Sequence, residues 1–225
     1  MLKGKRLSIL GDSISTYQNI SNNPEYNSML YYNPFFYKDP FPAEKTYWHI
    51  LMDKLGLILC VNNSWSGGNL SGLSDEDSGV NRVNFLSRNN GENPDIVIVF
   101  MGCNDLGRRV EVEVFATDYE RVLEIIKSKY PNALVCCVNL PDREIVLRKR
   151  TELFNLAIEN AVKKVGGNTF VADLFGSRLN NDFYYLNTVD GLHPSEGGMA
   201  IIAEVIEDAI RAYIDTHHPE GHNEP

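Results

Sequence analysis

The chain has 225 residues, a formal net charge of −9, 43% apolar residues and 23% charged ones. That length fits one domain with room for a full core, and the acidic excess leaves no basic surplus to neutralise nucleic-acid phosphates or an anionic membrane. No apolar run is long enough to span a bilayer, and the four cysteines lack metal-ligand spacing, which argues against zinc and fits a reducing compartment.

The basic start, Lys3-Gly4-Lys5-Arg6, leads into the short apolar run Leu7–Leu10. This does not read as a secretory signal, because cleavage there would cut into the turn that follows, so a cytoplasmic location is expected. That turn is Gly11-Asp12-Ser13-Ile14. Gly11 is expected to let the chain turn at the strand end and present the Ser13 hydroxyl at the sheet edge. Taken alone, Gly-Asp-Ser is more often a turn with a capping serine. Ser15 is a competing hydroxyl, set aside because only Ser13 directly follows the Gly-Asp turn.

Nine aromatic residues fall between Tyr26 and Trp48, interleaved with Pro24, Pro34, Pro40 and Pro42. A long connection so rich in proline is largely not helix. It suits either an aromatic wall beside a substrate, with Tyr31, Tyr32, Phe35 and Phe36 as candidates, or a loop with its own satellite core. Helical periodicity follows over Glu44–Leu55, with His49 beside Trp48 as a packing residue.

A second apolar run, Leu57–Val61, precedes Ser66-Gly67-Gly68-Asn69. The stretch from Gly67 to Ser74 resembles a phosphate-binding loop, but Leu73 stands where the lysine belongs, so nucleotide hydrolysis is set aside. The acidic stretch Asp75-Glu76-Asp77 lacks calcium-loop spacing and reads as a solvated loop. The third run, Ile96–Met101, ends in Gly102-Cys103-Asn104-Asp105, and a helical pattern covers Val112–Lys129. Leu134–Leu140 is the fourth run, Glu144–Val165 a helix stopped by Gly166-Gly167, and Thr169–Ala172 the fifth run. Near the end stand Asp190-Gly191-Leu192-His193, the entry signal Pro194-Ser195 and a helix over Glu196–Ile214. A single domain is expected over residues 1–216, with 217–225 a frayed polar tail.

Nearly continuous apolar runs alternating with helices predict an α/β fold with a parallel sheet covered on both faces. Such sheets bind ligands outside the carboxyl ends of their strands. The first three motifs each begin where an apolar run stops, so they are expected to meet at one edge. There they supply the parts for acyl transfer from serine. Ser13 is the nucleophile. His193 is the base, since the other histidines lie in the tail or, as His49, in a helix. Asp190, three residues from His193, orients the imidazole. The Asn104 side-chain amide and the backbone N–H of Gly67 are the candidate oxyanion donors. The bland alternatives are an Asx turn at Asn104, a flexible loop at Gly67, and an N-cap with a satisfied histidine at Asp190 and His193.

Together the four motifs resemble those of the SGNH hydrolase superfamily, the GDSL-type esterases and lipases, over nearly the whole chain from Gly11 to the helix after His193. The resemblance implies a three-layer α/β/α, flavodoxin-like fold with a five-stranded parallel sheet, with Ser13, Asp190 and His193 catalytic and Ser13, Gly67 and Asn104 forming the oxyanion hole. Ile14 departs from the leucine of the family's name, and Cys103 is an unusual filler. The expected activity is hydrolysis of short-chain, acetyl-type esters of a small molecule or carbohydrate, without metal or organic cofactor and without nucleic-acid or membrane partners. The alternatives are a carbohydrate-binding module without catalysis, or a lysophospholipase or thioesterase taking longer acyl chains.

Overall fold

In the computed structural model the described residues are 2–17, 32, 41–144, 146–179 and 185–217. Five strands form one parallel sheet: β1 (Arg6–Gly11), β2 (Ile58–Ser64), β3 (Ile96–Phe100), β4 (Leu134–Val138) and β5 (Thr169–Ala172), in the order β2-β1-β3-β4-β5. The Ile-Val-Ile-Val-Phe sequence of β3 is buried throughout, which is why its apolar run is continuous rather than alternating.

Among the described residues six α-helices accompany the strands: α1 (Tyr47–Leu55), α2 (Gly79–Arg82), α3 (Cys103–Gly107), α4 (Val112–Lys129), α5 (Arg148–Val165) and α6 (Glu196–His217). α1 packs on α6, and α4 packs on α5, so helical layers sandwich the sheet in a three-layer α/β/α arrangement. α4 carries Glu113 in its first turn and Lys127 and Lys129 in its last, matching the helix dipole at both ends.

Two long helices begin later than their periodicity predicts. The segment expected to start at Glu44 first makes a single 3₁₀ turn at Ala43–Lys45. Thr46 then takes extended angles, with its hydroxyl donating to the Ala43 carbonyl, and α1 starts only at Tyr47. The helix expected from Glu144 starts at Arg148, after a turn closed by Leu147 N–H on the Glu144 carbonyl. α6 runs to His217, past the expected Ile214, so the first residue of the expected tail is helical; residues 218–225 lie outside the described residues.

β1 is flanked by β2 on one side and β3 on the other, so the chain reverses its direction of travel across the sheet between β1 and β3. A parallel sheet opens its ligand crevice at such a switch point, outside the strand carboxyl ends. Ser13 follows β1 and Asn104 follows β3, which places both at that crevice. Among the described residues, no helix is long and apolar enough to cross a membrane.

Candidate active site

Asp12 follows β1 and caps a single 3₁₀ turn, Ser13–Ser15, by accepting the Ile14 N–H at 3.0 Å. The turn lifts Ser13 clear of the sheet. Ser15 points inward, its hydroxyl 2.7 Å from that of Tyr47, so the competing serine is spent on the core. The expectation that Gly11 turns the chain is corrected: Gly11 lies in β1, outside the left-handed region. Its role is close approach, since a Cβ there would sit 2.5 Å from the Ser15 side chain and 2.6 Å from the Ser64 hydroxyl.

His193 Nε2 lies 2.9 Å from Ser13 Oγ, and His193 Nδ1 lies 2.8 Å from Asp190 Oδ2. The other carboxylate oxygen, Asp190 Oδ1, accepts the backbone N–H groups of Leu192 and His193. The Asx turn and the imidazole contact therefore coexist, one on each oxygen. Gly191 N–H on the Thr188 hydroxyl and Val189 N–H on the His193 carbonyl fix the rest of the loop.

His193 is 7% exposed. Burial, the largest influence, pulls its imidazole below the ordinary 6.5; Asp190 opposes this and the Arg143 charge reinforces it. Burial also pushes the Asp12 carboxyl up to about 7 against the Ile14 N–H and Arg82, and the Cys103 thiol up to about 12. Cys103 is thus held as a thiol and supplies no thiolate nucleophile.

Asn104 donates its side-chain amide to the Gly68 carbonyl at 3.0 Å, tying the loop after β3 to the loop after β2. Gly67 takes φ +76°, a left-handed angle that side chains other than glycine resist. The backbone N–H groups of Ser13 and Gly67 donate to no acceptor among the described residues.

Three residues of this region were missed in the sequence. Asp105 accepts the N–H groups of Leu70 and Ser71 at 2.7 and 2.9 Å, so the stretch that imitates a phosphate loop spends its amides on the protein's own carboxylate. The adjacent Asn-Asp pair was the only signal, and it reads equally as turn chemistry. Arg82 is buried, with its guanidinium donating to the carbonyls of Asp77, Asn63 and Gly11. Arg143 is buried beyond the end of β4. Nothing in the spacing marked either arginine.

Of the candidate substrate aromatics, Tyr31, Phe35 and Phe36 lie outside the described residues. Tyr32 is fully buried, donates its hydroxyl to the Pro194 carbonyl and meets the His193 ring edge-on at 6.3 Å. It buttresses the imidazole and presents no open face to a substrate. Phe41, Tyr47 and Trp48 are also buried and join the main hydrophobic core with Tyr32, so the described part of the aromatic segment forms neither a substrate wall nor a separate satellite core. Among the described residues, no three His, Cys, Asp or Glu side chains gather as metal ligands.

The family model of GDSL-like lipases and acylhydrolases matches residues 5–210. The chain belongs to this family. Its fold is shared by a candidate GDSL-like lipase from Bacteroides ovatus, 24% identical, with TM-score 0.74 over 93% of this chain and 99% of that one. It is shared too by a psychrotrophic esterase from Pseudoalteromonas sp. inhibited by monoethylphosphonate, 17% identical, with TM-score 0.63 over 94% and 99%. A family-two carbohydrate esterase from Corynascus thermopiles, which carries an additional carbohydrate-binding domain, is 20% identical, with TM-score 0.64 over 93% of this chain and 66% of that one. No curated protein matches the chain. Membership makes this chain a hydrolase of the esterase and acylhydrolase class.

Proposed function

We propose that this hydrolase is a serine esterase that cleaves short acyl esters, acetyl esters foremost, of a small molecule or carbohydrate through an acyl-enzyme. The observation that carries the reading is the line of contacts from Ser13 Oγ to His193 Nε2 and from His193 Nδ1 to Asp190. His193 takes the Ser13 proton as Oγ bonds to the ester carbonyl carbon. The carbonyl π electrons move to oxygen, and the resulting oxyanion is held by the N–H groups of Ser13 and Gly67 and by the Asn104 amide. Collapse expels the alcohol, which leaves with the proton from His193. Water then attacks the acyl-enzyme with His193 again as base, releasing the acid and restoring Ser13. Asp190 holds the imidazole with Nδ1 protonated, so that Nε2 faces Ser13 as acceptor.

A carbohydrate as the alcohol half is suggested by the fold-sharing carbohydrate esterase, and short acyl groups by the close packing of Tyr32 on His193 and of Tyr47 on Ser15 beside the nucleophile. The test combines 4-nitrophenyl esters from acetate to octanoate, acetylated sugars, and an alkyl fluorophosphonate read by peptide mass spectrometry. Expected are hydrolysis that declines with acyl length, a phosphonyl adduct on the Ser13 peptide, and loss of both in a folded Ser13→Ala variant. Wild-type turnover by that variant sinks the mechanism. A preference for octanoate sinks the acyl-length assignment alone.

A further inference from the structure

The molecule holds two buried arginines of opposite character. Arg82 is 7% exposed and has its guanidinium satisfied by three backbone carbonyls. Arg143 is 8% exposed, and its buried Nε has no hydrogen-bond partner among the described residues. Among the described residues its nearest carboxylate contact is Glu144, 3.8 Å away and beyond hydrogen-bond range. Neighbouring acids do not serve it: Asp142 pairs with Arg148, and Asp105 is bound to Leu70 and Ser71. A buried N–H left without an acceptor is costly, so a folded chain that keeps one has a use for it.

Arg143 stands in the loop after β4, on the strand-end side where Ser13 and Asn104 lie. The loop is fixed, because Asn155 bonds both the N–H and the carbonyl of Leu140. One guanidinium nitrogen lies 3.9 Å from where a Cβ on Gly107 would be, the last residue of the helix that carries Asn104. Burial raises the Asp12 carboxyl and the Cys103 thiol and lowers the His193 imidazole; on all three the Arg143 charge pulls downward. Those groups come from three separate chain segments around Ser13, so the guanidinium is within Coulomb reach of the reacting centre. Arg108, at the crevice rim, adds a second positive charge and is held by Asn69.

We propose that Arg143 is a substrate-binding residue that receives a carboxylate carried by the ester beside its scissile bond. Resting on the serine-esterase reading above, this narrows the substrate from esters in general to acidic ones. A planar carboxylate matches the guanidinium fork. The carboxylate belongs either to the acyl half, as in a dicarboxylic acid half-ester, or to the alcohol half, as in an O-acetylated hydroxy acid.

The experiment compares matched charged and neutral substrates. Ethyl hydrogen succinate is set against ethyl succinamate, with ethanol release read, and O-acetyl-lactate against O-acetyl-lactamide, with acetate release read. Wild-type enzyme is expected to favour the anion in one pair by about tenfold or more in kcat/KM, chiefly through KM, and that pair identifies the half that carries the charge. Arg143→Gln is expected to abolish the preference, read as the ratio of charged-ester to neutral-ester kcat/KM, and Arg143→Lys to restore part of that ratio. Equal handling of both members of both pairs by wild-type enzyme overturns the proposal, and this needs no variant to fold. It is also overturned if Arg143→Gln slows charged and neutral esters equally and shifts the pH midpoint, since Arg143 then acts only through His193. Calorimetric binding of monomethyl glutarate to Ser13→Ala, lost in Ser13→Ala/Arg143→Gln, separates the two readings. That binding without any ester hydrolysis by wild-type enzyme sinks the esterase mechanism and keeps the carboxylate site.

Discussion

The Asn104 side-chain amide donates to the Gly68 carbonyl oxygen, so the loops that carry two of the proposed oxyanion donors are bound to each other. The contact uses one of the two amide hydrogens, and the proposed oxyanion role falls to the other. It also presets the spacing between the donors before substrate arrives, which is the condition for electrostatic preorganisation.

Removing that amide tests both roles. Asn104→Ala is expected to lower kcat by about a hundred- to a thousandfold, the usual cost of one oxyanion donor, with KM little changed. The lost Gly68 bond should lower stability by only about 1 kcal/mol. Steady-state kinetics beside a urea titration separates the two, and a kcat within a few fold of wild type reduces Asn104 to a turn residue.

Asp105 lies one layer behind. Asn at this position keeps one acceptor oxygen, so one of the Leu70 and Ser71 N–H groups is stranded in a buried setting. Asp105→Asn should therefore cost about 1–3 kcal/mol of stability and weaken activity through the displaced Gly67 loop. A variant with unchanged melting temperature and unchanged kcat would mean that the loop holds its shape without the carboxylate.

The pH profile follows from the burial of His193. Its imidazole titrates below 6.5 in the folded protein, so kcat/KM should rise with pH through a midpoint below 6.5 and then level off. The same shift acts on stability: as pH falls below 6.5 the unfolded chain takes up a proton that folded His193 resists, and the fold is weakened. A kinetic midpoint at or above 6.5 contradicts this.

Asp12 has the opposite sign. Its carboxyl is raised from 3.8 to about 7, so between those values the folded protein holds a proton that the unfolded chain has released. Its contribution is complete below 3.8 and is lost as pH rises through about 7. Asp12→Asn keeps an oxygen for the Ile14 N–H and cannot titrate. Urea midpoints at roughly pH 5 and pH 8 should differ less in the variant than in wild type, with the relative gain at the higher pH. Parallel pH slopes in the two proteins would show that Asp12 is ionised throughout.

Much of this architecture is readable in the chain because its signals are local. Thr169–Ala172 and Val112–Lys129 have the same boundaries in sequence and structure, since an unbroken apolar run and a 3.6-residue period depend on neighbouring positions alone. The motifs at Ser13, Asn104 and His193 were legible for a similar reason: each sits where a strand stops or a helix is about to start, and a parallel sheet gathers such points at one edge. Helix starts at Tyr47 and Arg148 were not, because a single residue in extended angles, Thr46, or a turn closed by one hydrogen bond, decides them. The buried arginines could be told apart only in three dimensions. Arg82 and Arg143 look alike in a sequence, and what distinguishes them is whether carbonyls from distant segments converge on the guanidinium. The same holds for Asp105, whose partners lie 34 and 35 positions away. The sequence alone thus determined the element types and their order and set the Ser13, Asn104 and His193 motifs at strand ends or just ahead of a helix, whereas burial and long-range hydrogen bonding, which exist only after the chain has closed, decided where several strands and helices end and which charges are satisfied inside the fold.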